Sequence, residues 1–203
     1  MEYTEWDSEQ WKIYKEVNQK YADVVAEHYQ EGDNIWVHDY QLLLVPQMIR
    51  EQEPKASIGF FNHIPFPSYE VFRTVPWREE ILQGMLGANL IGFHTYDYER
   101  HFLSSVSRIL RHQVDFNEVS LPDRLVKVDS FPMGIDYDKF EQAAIDHNNI
   151  KEGEESELQQ RLNYHRKRSP DSQLILSIDR LDYTKGIANR IRAFEHFLEK
   201  YPQ

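Results

Sequence analysis

Arg180 and Lys185 stand five positions apart in SIDRLDYTKG (177–186), directly after the apolar run QLILSI (173–178) and immediately before Gly186. A loop that leaves a buried strand and enters a helix offers unpaired backbone N–H groups and the positive end of a helix dipole. In such a loop Arg180 is a forked donor, Lys185 is a point charge, and Gly186 permits close approach of a ligand or of the backbone. A diphosphate suits that set, each charge-assisted hydrogen bond contributing roughly 1.5–3 kcal/mol. The same spacing also suits a surface pair of Arg180 with Asp179 or Asp182 that leaves Lys185 solvated. Spacing alone does not choose between the two.

Other polar residues fall in equivalent places. His38 and Asp39 follow the apolar IWV, Asn62 and His63 follow IGFF, His94 and Thr95 follow LIGF, and Met133-Gly134 follows VDSFP. In open parallel sheets ligands bind outside the carboxyl ends of the strands, and five expected strands here deliver polar groups to that one kind of edge. Asp39 suits a sugar-hydroxyl acceptor and equally an N-cap for the helix expected after it. His63 precedes Ile64-Pro65-Phe66-Pro67, whose two prolines stiffen the turn that aims the imidazole, although a purely structural histidine fits the pattern too. His94 and His101 read as helix-entry and helix-face residues. Asp136-Tyr137-Asp138 has the Asp-x-Asp form of some metal-holding glycosyltransferases, yet it opens a helical stretch where capping is the commoner use. The chain carries no Gly-x-Gly-x-x-Gly, phosphate loop, His-Glu-x-x-His or Gly-x-Ser-x-Gly, so dehydrogenase, ATPase, metalloprotease and α/β-hydrolase chemistry lack their usual anchors.

The elements that must position these residues alternate. Trp11, Tyr14, Val17, Tyr21, Val24, Val25 and His28 recur at helical intervals behind an Asp7/Gln10 cap, and Glu31-Gly32-Asp33-Asn34 ends that helix. Short strands are expected at 35–38, 57–62, 89–94 and 125–131. Helices are expected over YQLLLVPQMIREQ, from Trp77 to Leu86, and over TYDYERHFLSSVSRILR; residues 112–124 give no clear pattern. The alternation predicts an α/β fold with a parallel sheet covered on both faces. Beyond Gly134 a polar, charged, helical linker leads to a fifth strand at 173–178 and a helix with Ile187, Ile191, Phe194, Leu198 and Tyr201 on one stripe. Residues 1–135 are therefore read as most of one domain and 136–203 as the start of another.

Bulk composition narrows the partners. The 203 residues include 34 acidic and 23 basic side chains, a formal charge of −11. Nucleic acid and anionic membranes, which need a basic face, are disfavoured. No apolar run approaches bilayer length, no signal peptide precedes the polar opening, and there are no cysteines, which together point to a soluble cytoplasmic protein.

The stretches WVHDYQLLLVP, GFFNHIPFPSYEVFR, LIGFHTYDYERHFLSS, FPMGID and SIDRLDYTKGI resemble the trehalose-6-phosphate synthases in order and spacing, over nearly all of residues 6–201. Asn62 stands where that family usually carries a bulky apolar residue. The resemblance implies the GT-B architecture, two Rossmann-like domains facing each other across a cleft. It implies transfer of glucose from UDP-glucose to glucose 6-phosphate, giving trehalose 6-phosphate and UDP with retention, without a metal or other cofactor. The family's acceptor-binding aspartate falls on Asp39, its active-site histidine on His63, and its donor-diphosphate arginine and lysine on Arg180 and Lys185. Residues 1–135 then correspond to the acceptor-side N-terminal domain without its first units, and 136–203 to linker helices plus the first βα unit of the nucleotide-sugar domain. The family's glycine loop would lie before Met1 and its uridine contacts after Gln203, so this chain is expected to be an internal piece that does not turn over by itself. A homo-oligomer is an option for the full-length protein. Two rivals remain: another GT-B nucleotide-sugar glycosyltransferase, and a catalytically silent synthase-like regulatory subunit.

Overall fold

The computed structural model of the protein describes residues 5–148, 156–168, 170 and 173–202. It divides into two compact units, Met1–Ile135 and Asp136–Gln203. In the first, α1 (Ser8–His28) is capped by Asp7, whose carboxylate accepts from Glu9 N and Gln10 N. Its buried face is Trp11, Asn18 and Ala22, with Tyr14 and Val25 packed beside them. Val17, Tyr21 and Val24, expected on that stripe, point to solvent. A polar residue takes the inner position because it has work there: Asn18 donates to Tyr14 O and Gln41 O and accepts from Leu44 N, fixing the turn at the start of the next helix.

Strands β1 (Asn34–His38), β2 (Ser57–Phe61), β3 (Leu90–Phe93) and β6 (Leu125–Ser130) pair in parallel. The stretch 112–124 supplies an antiparallel hairpin of β4 (Gln113–Asp115) and β5 (Glu118–Ser120), of which β5 pairs antiparallel with β6. The sheet order is β1-β2-β3-β6-β5-β4. The single helix expected over 40–52 is split into a 3-10 turn, Tyr40–Leu42, and α2, Val45–Gln52. Pro46 lacks an N–H and clashes with a preceding turn, so it is accommodated only at the helix start. Then come α3 (Tyr69–Phe72), α4 (Arg78–Met85) and α5 (Tyr96–Ser105), which runs into a π-helical turn, Val106–Leu110, ended by left-handed Arg111.

Val37, Ile58, Phe60, Ile91, Phe93, Val126 and Val128 form one core with Val45, Ile49, Ile81, Leu82, Met85 and Phe102 of the helices. Burying each large side chain contributes roughly 1.5–3 kcal/mol. Their register mates on the opposite face include Trp36, Gly59 and Leu90, and Trp36 is 68% and Leu90 37% exposed. Among the described residues, therefore, helices cover one face and not two. The strand order explains this: β1, β2, β3 and β6 advance in a single direction, and crossovers of one hand then all land on the same side.

In the second unit α6 (Tyr137–Asn148), α7 (Glu157–Arg168) and α8 (Ile187–Lys200) are helical; residues 149–155 of the expected linker lie outside the described set. The predicted fifth strand does not form. Leu174, Ile175, Leu176 and Ile178 are 63–80% exposed, and among the described residues no neighbouring strand offers this run a ladder. A strand is defined by its partner, whatever its own apolar pattern. The run instead lies along α8 across a gap of about 360 Å³ lined by Ile175, Ile187, Ile191 and Phe194.

Candidate functional site

The carboxyl ends of β1, β2 and β3 bring several of the expected residues together. His38, Phe61 and Gly92 are in register, and the ladder continues one step beyond the strands through Asp39 N to Phe61 O (2.8 Å) and Asn62 N to Gly92 O (3.0 Å). Asp39 has φ 70° and ψ 172°, a backbone conformation that a residue bearing a Cβ rarely adopts. It is held there from both sides. The Asp39 Oδ1 accepts from Tyr40 N (3.0 Å), capping the 3-10 turn, and from His63 N (3.2 Å), tying the carboxylate to the histidine loop. One carboxylate oxygen thus caps the turn and braces the histidine loop at once.

His63 is exposed and its ring is framed by aromatic neighbours. His38 Nδ1 and His63 Nε2 are hydrogen-bonded at 3.0 Å, one nitrogen donating and the other accepting. The His63 ring also lies 5.5 Å from His94 and 4.7 Å from Phe61, centroid to centroid. Of these, sequence reasoning assigned no role to His38 and treated His94 as an ordinary helix-entry residue. The available signal was their shared place, each directly ending an apolar run of neighbouring strands. Asn62, only 2% exposed, donates to Ile64 O at 2.7 Å, so this amide braces the turn from inside. His101 Nδ1 donates to Phe66 O at 3.1 Å, pinning the proline turn from the other end. A groove of about 470 Å³ runs along the open sheet face to His63, floored by Gly59 and Gly92 and walled by Trp36, Phe131 and Met133.

Arg180 and Lys185 sit in the second unit, both exposed. Neither pairs with Asp179 or Asp182 by a direct ion pair. Asp179 is taken by Arg190 Nη2 (2.7 Å), which also donates to Lys185 O (3.0 Å). Asp182 caps the 3-10 turn Tyr183–Lys185 by accepting from Thr184 N (2.9 Å) and Thr184 Oγ1 (2.8 Å). Those two donors hold its carboxyl below the ordinary carboxylate range, and the charges of Lys185 and Arg180 add to the shift. Both cations thus act on the same carboxylate, that of Asp182. Gly186, at φ 62°, turns the chain into α8, whose first N–H groups receive no side-chain cap. Neither cation makes an ion pair among the described residues, and an uncapped helix start is a place where negative charge is favoured.

Asp136 follows the capping alternative: its Oδ1 accepts from Lys139 N at 3.2 Å. Among the described residues no group of three or more His, Cys, Asp or Glu side chains is placed to hold a metal ion. No described helix is long and apolar enough to cross a membrane.

A largely parallel α/β sheet with polar groups gathered beyond the strand ends defines a Rossmann-like α/β protein. The chain belongs to glycosyltransferase family 20, whose family model matches residues 1–203. It is 43% identical over 199 residues to the UDP-forming alpha,alpha-trehalose-phosphate synthase A of Dictyostelium discoideum, covering 98% of this chain and 26% of that protein. The N-terminal domain of Candida albicans trehalose-6-phosphate phosphatase superposes with a TM-score of 0.76 at 36% identity, covering 98% of this chain and 41% of that one. A Burkholderia xenovorans synthase in complex with glucose-6-phosphate gives a TM-score of 0.76 at 30% identity, covering 97% of this chain and 43% of that one. The α/β fold with a mostly parallel sheet is thus that of GT-B trehalose-phosphate synthase structures. The chain spans well under half the length of these relatives.

Proposed function

We propose that the protein to which this chain contributes transfers glucose from UDP-glucose to glucose 6-phosphate, giving trehalose 6-phosphate and UDP with retention. The observation that carries this reading is the loop in which Arg180 and Lys185, both exposed and in no ion pair among the described residues, precede the uncapped start of α8. Such a pair matches the diphosphate of a nucleotide sugar. In this reading the first unit is the acceptor-side domain and the second begins the nucleotide-sugar domain. Asp39 receives a hydroxyl of the glucose 6-phosphate sugar, and His63 lies beside the donor glucose. Arg180 and Lys185 stabilise charge developing on the leaving UDP, which is electrostatic catalysis by preplaced donors. The departing phosphate oxygen takes the acceptor's proton, so no side-chain base is needed.

The test is UDP release by the complete protein with both sugars present. Lys185→Ala is expected to lower kcat about 10²–10³-fold, the range for losing one charge-stabilising donor. Unchanged turnover in that variant overturns the assignment. UDP release that does not depend on glucose 6-phosphate favours another nucleotide-sugar transferase.

A second reading, a synthase-like unit without turnover, is favoured by one observation: the similar Candida albicans domain belongs to a protein described as a phosphatase. Binding of UDP-glucose by the complete protein without any UDP release selects it.

A further inference from the structure

The first unit holds a second cluster of cations, away from the strand ends. Arg73 follows α3, Arg78 opens α4, and Arg108 lies on the π-helical turn; with Tyr69, Thr74 and Glu79 they line a cavity of about 370 Å³. In so acidic a chain arginines have carboxylates to choose from, and three of the seven in this unit are held by partners elsewhere. Arg50 and Arg124 each donate to backbone carbonyls, and Arg100 pairs with Asp97. The three at the cavity make no ion pair with any described residue. Arg78 spends one nitrogen on Val75 O at 3.2 Å. The Arg108 guanidinium lies 4.8 Å from the Tyr69 ring centre, a cation–π contact that fixes its plane. Three like charges around one open surface pocket favour an anion there, although solvent screens them in part. Glu79 on the wall and Glu70 nearby temper this preference without pairing.

We propose that this cavity binds a phosphate dianion, free or as the monoester of a small metabolite, through Arg73, Arg78 and Arg108. All three cations are arginines and none is lysine, which suits an oxyanion gripped by planar forks. The Thr74 hydroxyl adds a neutral donor at the rim. The volume admits a phosphorylated sugar-sized molecule. None of the lining residues belongs to the Asp39–His63 cluster or to the Arg180 loop, so the site is additional to the proposed reaction.

The experiment uses the 203-residue chain carrying Arg180→Ala and Lys185→Ala, which silences the other cationic loop. Inorganic phosphate and a hexose monophosphate are titrated by calorimetry at low salt. Saturable binding is expected, weakened at least tenfold by Arg73→Ala with Arg108→Ala, and partly kept by the corresponding lysine variants. Arg111→Ala, an exposed arginine off the cavity, is expected to leave it unchanged. Tighter binding of the hexose monophosphate identifies the ester as the source, and equal binding identifies the free ion. The proposal is overturned by absence of saturable binding, by equal weakening in Arg111→Ala, or, in parallel titrations with citrate and with a phosphopeptide, by citrate binding as well as phosphate or by binding that only the phosphopeptide shows. Circular dichroism of each variant separates lost binding from lost folding.

Discussion

The two sets of site residues are held by different means. At the ends of β1 and β2, Asp39 and His38 reach residues 24 and 25 positions away, both contacts converging on His63. In the second unit Asp182 is tied to Thr184, two positions away, and Asp179 to Arg190, eleven away. The first arrangement exists only when the sheet has formed, because paired strands deliver each partner. The second is written into one short loop and the helix after it. A site that depends on long-range pairing is rigid and expensive to perturb. One built from neighbours can be disturbed by changing a single residue without disturbing the rest.

The same substitution at two glycines separates these cases most strongly. A Cβ at Gly87 would lie 2.1 Å from Gln47 N and 2.3 Å from the Pro46 carbonyl carbon, backbone atoms of α2 that cannot swing aside. Gly87→Ala is expected to cost about 3 kcal/mol, at the upper end of overpacking penalties. A Cβ at Gly186 meets nothing within 4 Å, but the residue sits at φ +62°, so Gly186→Ala costs only about 1 kcal/mol of backbone strain. All four tryptophans, 6, 11, 36 and 77, fall in the first unit, so urea unfolding followed by Trp fluorescence reads the first loss and misses the second. Hydrogen exchange of the α8 amides reads the second. Equal losses in both assays would erase the distinction between the two modes.

A smaller effect comes with pH. The Tyr14 hydroxyl donates to Tyr40 O (2.7 Å) and accepts from Leu43 N (3.0 Å), clamping the turn that Asp39 caps. Burial pushes its pKa up to about 12 from 10, against the smaller opposing effects of Leu43 and Asn18. Folding therefore favours the neutral phenol. Its contribution is complete below pH 10 and is lost as pH rises from 10 towards 12, an effect of roughly 2 kcal/mol. Tyr14→Phe is expected to remove this alkaline decline and to cost roughly 1 kcal/mol at neutral pH through the unpaired Leu43 N–H. An unaltered alkaline slope in Tyr14→Phe counts against the clamp.

Strand-ending residues were readable from the sequence because apolar runs bounded by turn residues mark strands directly. Asp39 and His63 stand just beyond the ends of strands that form, whereas Arg180 and Lys185 follow a run that forms none. The pairing of His38 with His63 was not readable, since it depends on register between strands, which no single run specifies. The buried Asn18 escaped the helical stripe because its value lies in three hydrogen bonds that only tertiary structure supplies. The run 173–178 misled for the converse reason. Its pattern fits a strand, but among the described residues it has no ladder to join. The arginine cavity was invisible because its three cations come from α3, α4 and the π turn, elements brought together only by packing around the sheet.

The smallest predicted change in stability is the most informative about Asp39. Asn keeps an oxygen at Oδ1, so the bonds from Tyr40 N and His63 N survive in Asp39→Asn, and since both residues carry the same Cβ the backbone strain at φ 70°, ψ 172° is common to the two. Stability is expected to stay within about 0.5 kcal/mol of the parent. What changes is the second oxygen, Oδ2, which has no hydrogen-bond partner among the described residues and is open to a ligand hydroxyl. Replacing it by an NH₂ donor removes both the charge and the acceptor. In the complete protein Asp39→Asn is expected to raise KM for glucose 6-phosphate about tenfold, the value of one lost charge-assisted bond. Asp39→Ala would lose the cap as well and fail on both counts, so it cannot separate the roles. If Asp39→Asn instead melts early with KM intact, the carboxylate serves the turn and not the sugar.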